Sequence, residues 1–137
     1  MTVFIDTNVF LYAHDLDAGP KHDIASDILQ ACWMERNGVI STQVLQEFYV
    51  NVTRKISRPL SRKSARDIIS AYSVWPIATI DHADILRASS IETRYHLSFW
   101  DSLIVVSANR LGASDLLTED LNPGQVIDGV RIVNPFE

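Results

Sequence analysis

Four acids of the chain stand in apolar surroundings at the boundaries of segments. They are Asp6 in "VFIDTN", Glu47 in "VLQEFYV", Asp101 in "LSFWDSLIVV" and Asp120 in "LLTEDLNPG". An ionised carboxylate in such surroundings is costly unless it is paired, hydrogen-bonded or bound to a metal. Each of the four also has an ordinary structural reading. Asp6 reads as a cap for a helix beginning near Val9. Glu47 reads as a helix-face acid paired with a nearby base. Ser98-Phe-Trp-Asp101 fits a capping-box pattern with Asp in place of Glu. Asp120 reads as a turn residue before Asn122-Pro123-Gly124. Other acids, among them Asp15, Asp17, Asp23, Asp27, Glu35, Asp67 and Glu92, sit in polar neighbourhoods and read as solvated.

Convergence of the four would separate the two readings. Carboxylates brought within a few ångströms raise each other's pKa, and a divalent cation relieves the repulsion. No Cys or His is placed among these acids, so the ligands would all be oxygen. That suits a hard cation, Mg²⁺ or Mn²⁺, rather than zinc. Such an ion cancels charge on a phosphate and activates a water.

The elements that would position these acids alternate. Residues 2–6 read as a short buried strand, and 9–14 begin a helix. "KHDIASDILQACWMERN" carries Ala25, Ile28, Leu29, Cys32 and Trp33 at helical spacing, stopped by Asn37-Gly38. "GVIS" is a strand. Ser41 or Thr42 caps a helix with Leu45, Phe48, Tyr49, Val52 and Ile56 on its apolar stripe, broken at Ser57-Arg58-Pro59. Ser61 opens another helix, with Ala65, Ile68, Ile69 and Tyr72 on one face. "VWPIATI" is strand-like, with Pro76 at an edge or a strand's first position. Residues 81–95 are helical, and Ser98 opens a helix through Leu111, ended by Gly112. "DLLT" and "VRIV" are strands, with a turn at "NPG" between them. Strands separated by helices imply crossovers and a parallel sheet, whose ligands bind beyond the carboxyl ends of the strands. All four acids fall at that edge.

Length and composition fit one soluble globular domain over residues 1–137, with hydrophobic residues at 47% and charged residues at 21%. No apolar run is long enough to span a membrane, and no secretory signal is present. The lone Cys32 excludes an internal disulfide and a cysteine zinc site, so a cytoplasmic protein is expected. The net charge of −5 argues against a plain electrostatic nucleic-acid binder. Yet Arg54, Lys55, Arg58, Arg62, Lys63 and Arg66 supply six of the 12 basic residues. This stretch is either a solvated turn between helices or a patch that grips a phosphate backbone. Acids for a metal and bases for a strand would together suit an anionic polymer.

Four segments in fixed order carry a resemblance. They are "FIDTNVFLYA", "ISTQVLQEFYV", "LSFWDSLIVVSA" and "LLTEDLNPGQVIDGVRIVNPF", reaching from residue 3 to the C-terminus. The chain resembles PIN-domain ribonucleases, in particular the VapC-type toxins of toxin–antitoxin pairs. The resemblance implies a three-layer α/β/α sandwich with a short, mainly parallel central sheet. It implies Mg²⁺- or Mn²⁺-dependent cleavage of RNA, a homodimer, and inhibition by a VapB-like antitoxin. Carried over by position, Asp6, Glu47, Asp101 and Asp120 match the family's acidic quartet, with Asp6, Asp101 and Asp120 as metal ligands. Thr118 matches a hydroxyl residue that supports a catalytic carboxylate, and Asn8 a polar residue near the site. Strand alternation puts Thr118 and Asp120 on one side and Glu119 on the other, which favours Asp120. Asn122 stands where some relatives carry a further acid, which leaves a second metal in question.

Two other classes compete. A phosphotransfer protein also places an Asp after its first strand. A phosphatase of that kind wants a second Asp where this chain has Asn8, and a receiver wants a late Lys, but none follows Lys63. A catalytically inactive binding module is the other alternative. His14, His22, His82 and His96 show no ligand spacing and read as surface or packing residues. Trp33, Trp75 and Trp100 read as core or dimer contacts, with stacking on a base as the lesser reading of Trp100.

Overall fold

In the computed structural model, which describes residues 1–137, the apolar run Val3–Ile5 is strand β1, and each of its residues is buried. That is the pattern of a strand covered on both faces. The chain continues through α1 (Thr7–Tyr12), α2 (Pro20–Glu35), β2 (Gly38–Ser41), α3 (Thr42–Arg54) and α4 (Arg62–Ala71). A 3-10 turn at Tyr72–Val74 leads into β3 (Ile77–Ala78), followed by α5 (His82–Tyr95) and α6 (Phe99–Arg110). The chain closes with β4 (Asp115–Leu117), β5 (Val126–Ile127) and β6 (Val130–Val133).

The six strands lie in the order β3-β2-β1-β4-β6-β5. All neighbours are parallel except β5 and β6. The chain steps outward from β1 to β3 through α1–α4. It then returns past β1 to β4 through α5 and α6. Right-handed crossovers place helices on opposite faces when the direction of travel reverses. Accordingly α1 packs on α2 and α3, whereas α5 packs on α6, and α6 lies on β2, β4 and β6. The expected α/β sandwich with a mainly parallel sheet is therefore present. The reversal falls between β1 and β4, and it opens a crevice beyond their carboxyl ends.

Rings hold the α1–α4 layer together. Phe10 of α1 meets Phe48 of α3 edge-on at 4.5 Å and Tyr72 at 4.6 Å. His14 packs against the same two phenylalanines, which is the packing role expected of it. Gly38 opens β2 against Trp75, where a Cβ would lie 2.6 Å from the indole. No helix is long and apolar enough to cross a membrane.

Three local expectations are corrected. The first helix starts at Thr7, not Val9, because Asp6 accepts a hydrogen bond from the Thr7 N–H and so caps it earlier. Of "VWPIATI" only Ile77 and Ala78 pair, at the sheet edge, since Pro76 has no N–H to donate. Strand β5 was not expected. It pairs with β6 across Asp128-Gly129, both at positive φ, the Asp-Gly turn that suits a two-residue hairpin.

Candidate active site

The register Ile5↔Leu117 carries Asp6 alongside Thr118 at the carboxyl ends of β1 and β4. The Asp6 N–H donates to the Leu117 carbonyl at 3.1 Å, which fixes the pair of strand ends. Asp6 is only 5% exposed. Its Oδ1 accepts from the Thr7 N–H at 2.7 Å, and its Oδ2 from the Thr118 hydroxyl at 2.8 Å. Both donors are neutral. Burial pushes the Asp6 carboxyl up to about 7; the Thr118 and Thr7 hydrogen bonds oppose this, while Asp120 and Glu47 add to it.

Glu47 is delivered by α3. Ser41 caps that helix through its hydroxyl, which accepts from the Val44 N–H at 3.3 Å. Gln43, Glu47 and Asn51 then recur every four residues and share one face, which lines the crevice. Glu47 Oε1 accepts from the Thr7 hydroxyl at 2.7 Å. Asp101 comes from the first turn of α6. The Ser98 hydroxyl accepts from the Asp101 N–H at 3.0 Å, but no reciprocal bond from the Ser98 N–H to the Asp101 carboxylate completes a capping box. The box is complete at α5, between Asp81 and Asp84. Asp101 therefore keeps its carboxylate for the crevice. Burial raises its pKa; the Ser98 hydroxyl opposes the shift, and Asp120 and Glu47 reinforce it.

Asp120 is exposed at the rim. Its Oδ2 accepts from Asn8 Nδ2 at 2.8 Å, and its N–H donates to Thr118 Oγ1 at 3.1 Å. Asn8 Nδ2 also reaches Thr118 Oγ1 at 3.3 Å. Thr118 thus links Asp6, Asn8 and Asp120 in one network. Glu119 turns the other way, accepting from the Tyr12 hydroxyl and from Lys21 Nζ at 2.8 Å. The placement expected of Asp120 and Glu119 is present, but β4 ends at Leu117, so it comes from a bend held by the Asp120 N–H on the Thr118 hydroxyl and not from strand alternation.

Asp6, Glu47, Asp101 and Asp120 face one crevice of about 240 Å³ together with Asn8. Its walls include Thr7, Gln43, Asn51 and Trp100. Thr7, Gln43 and Asn51 were not singled out from the sequence. The signals were there: Thr7 adjoins Asp6, and Gln43 and Asn51 flank Glu47 at helical spacing. None of the chain's ion pairs includes any of the four acids. No three acid, His or Cys side chains are drawn together closely enough to share one ion. The donor set is nonetheless all oxygen, and Asn8 Oδ1 is buried without a partner. These residues fit a hard divalent ion whose coordination is completed by water and substrate.

The basic stretch is not one free patch. Arg58 forks onto Asp17 at 3.0 and 2.8 Å, and Lys63 pairs with Asp67 at 2.8 Å. Arg54, Lys55 and Arg62 are exposed and outside every ion pair. None of these bases lines the crevice. Arg54 and Lys55 stand three and four residues beyond Asn51, so they prolong its side of α3. A larger cavity of about 460 Å³ lies at the amino ends of β2 and β3, walled by Cys32, Trp33, Arg36 and Trp75. It holds no acid, so cavity size does not mark the chemistry here.

Several solved structures share this architecture. A toxin–antitoxin complex from Klebsiella pneumoniae is similar at 23% identity and TM-score 0.69, over 100% of this chain and 99% of that one. VapC20 of Mycobacterium tuberculosis, a toxin that cleaves the sarcin–ricin loop, is similar at 16% identity and TM-score 0.64, over 84% and 87% of the two chains. VapBC2 of Rickettsia felis, bound to a fragment of its promoter DNA, is similar at 22% identity and TM-score 0.66, over 96% and 97%. At these identities the likeness is one of fold. No curated protein matches the sequence. The model of the PIN domain family matches residues 3–126, nearly the whole chain, and the chain belongs to that family.

Proposed function

We propose that the protein is a metal-dependent endoribonuclease and the toxin of a toxin–antitoxin pair, held in check by a VapB-like antitoxin and active as a homodimer. One observation carries this reading. A buried carboxylate, Asp6, sits where the strand order reverses, faces Glu47, Asp101 and Asp120, and has no cationic partner. In this reading Asp6, Asp101 and Asp120 hold Mg²⁺, with Mn²⁺ as a substitute, directly or through water. Glu47 completes the donor set or orients the attacking water. The ion, when bound, neutralises a phosphate and activates a water for attack.

The chain's own residues set the geometry. Thr118 holds the Asp6 carboxylate and anchors the Asp120 backbone. Asn8 holds the Asp120 side chain, and Thr7 holds Glu47. Arg54, Lys55 and Arg62 are free to meet RNA phosphates, and Arg58 and Lys63 would have to exchange an exposed acid for a phosphate. Support for RNA as substrate comes from VapC20, and support for an antitoxin partner from the toxin–antitoxin complexes of the same fold.

The test is cleavage of labelled total RNA by wild type and Asp6→Asn, in Mg²⁺, in Mn²⁺ and in EDTA. Cleavage that needs both the metal and Asp6 is expected. Cleavage that survives in EDTA, or at full rate in Asp6→Asn, overturns the reading.

A further inference from the structure

Trp100 does not behave like the rest of α6. The segment Ser102–Ala108 behind it is entirely buried, yet Trp100 is 64% exposed. An indole left in water forfeits the burial its size would otherwise bring. Here Trp100 is part of the wall of the acid crevice, one residue before Asp101. It is braced rather than loose. Phe99 meets it edge-on at 5.3 Å and 78°. The Trp100 carbonyl accepts from Gln43 Nε2 at 3.2 Å, which ties the first turn of α6 to the first turn of α3. Gln43 is itself 6% exposed, and its Oε1 is buried with no partner.

An acid-lined crevice repels a nucleic-acid backbone until a cation intervenes, so phosphate attraction alone cannot seat a strand there. The face of a base is neutral and stacks on an indole regardless of nearby charge. Resting on the nuclease reading, we propose that Trp100 is a stacking platform for an unpaired base next to the phosphate at the acids, and that Gln43 is the residue that positions it. Paired bases already stack on their neighbours and gain nothing from the ring.

The experiment uses the full chain and two readouts. In the first, kcat and KM are measured on a labelled RNA stem-loop for wild type, Trp100→Ala, Trp100→Phe and Gln43→Ala. Trp100→Ala is expected to raise KM about tenfold or more, the loss of one stacked base, with kcat nearly unchanged. Trp100→Phe is expected to recover most of that loss, and Gln43→Ala to lie between. Cleavage sites are expected in the loop and not in the stem. In the second readout, single-stranded oligoadenylate is expected to quench tryptophan emission in wild type but not in Trp100→Phe. A wild type that cleaves RNA while Trp100→Ala keeps its KM overturns this inference alone. So does equal quenching in wild type and Trp100→Phe. Absence of both cleavage and quenching in wild type overturns the nuclease reading along with it.

Discussion

Asp84 and Asp6 are buried to nearly the same degree, at 2% and 5% exposed, but their neighbours differ in sign. Asp84 lies at the corner of α5 and α6. It ion-pairs with the Arg110 guanidinium and closes a capping box with Asp81. Arg110 in turn donates to the Thr79 carbonyl at 2.9 Å, so the corner is charge-balanced and knitted into the backbone. Asp6 has two neutral donors, and the crevice it faces presents three more carboxylates. Burial by itself therefore does not mark a functional acid. What marks it is burial without an opposite charge, because that leaves a site which something from outside must balance.

If the comparison is right, Asp101→Asn should abolish metal-dependent RNA cleavage while leaving the fold intact. The expected loss is about a thousandfold, or about 4 kcal/mol of barrier. Rates on labelled RNA and an unchanged circular dichroism spectrum would check it. A loss under about tenfold would move Asp101 into the structural class with Asp84.

The second consequence concerns pH. Burial holds the Asp6 carboxyl up at about 7 in the folded chain, against 3.8 for an ordinary Asp. Between those values the folded state holds a proton that the unfolded state has released. Metal-free stability is therefore greatest below the unfolded value and falls as pH rises through the folded one. The Asp6 contribution to this fall is on the order of 4 kcal/mol. Urea midpoints measured in EDTA from pH 4 to 8 should show it. Asp6→Asn should flatten the slope, and saturating Mg²⁺ should reduce it. An equal slope in wild type and Asp6→Asn would mean that Asp6 is not strained by its surroundings.

At the other corner, Arg110→Ala should do the reverse of Asp101→Asn. It strands the buried Asp84 carboxylate and should lower stability by about 2–3 kcal/mol, below the range for a fully buried pair because Arg110 is partly exposed. Cleavage per folded molecule should not change. Unaltered urea unfolding would erase the distinction between the two regions. The smallest effect is expected at Thr7→Val, which removes the hydroxyl holding Glu47. A rate loss of about tenfold, near 1.4 kcal/mol, with the metal requirement retained, would place Glu47 in the working geometry. No loss would leave it at the crevice wall without a role.

Much of this arrangement was legible in the residues. Val3–Ile5 announces a buried strand by continuous apolar character, "GVIS" and "DLLT" by an apolar pair at their centres and "VRIV" by apolar residues around Arg131, and Ser41, Ser61 and Ser98 announce helix starts by capping chemistry. The pairing of Thr118 with Asp120 was expected from strand alternation, but it arises in a bend just past β4, where the Thr118 hydroxyl accepts the Asp120 N–H. The β5–β6 hairpin was missed although Asp128-Gly129 signals it, because the flanking strand is only two residues long. The basic stretch could not be divided from its composition into paired and unpaired bases. Its composition is local, but its partner Asp17 lies 41 residues from Arg58, beyond the reach of any pattern along the chain.

The sequence by itself determined most of the strands and helices, and that Asp6 follows β1 and Asp120 stands just beyond β4. Those properties depend on neighbours a few residues apart. Only the tertiary structure decided which buried acids are balanced. Asp84 meets Arg110 across 26 residues, and Asp6 meets Thr118 across 112. Register and crossover hand bring such partners together. Asp101 shows the same division at one residue. Its sequence fits a cap, and the fold leaves its carboxylate to the crevice, because the reciprocal bond of the cap is not made.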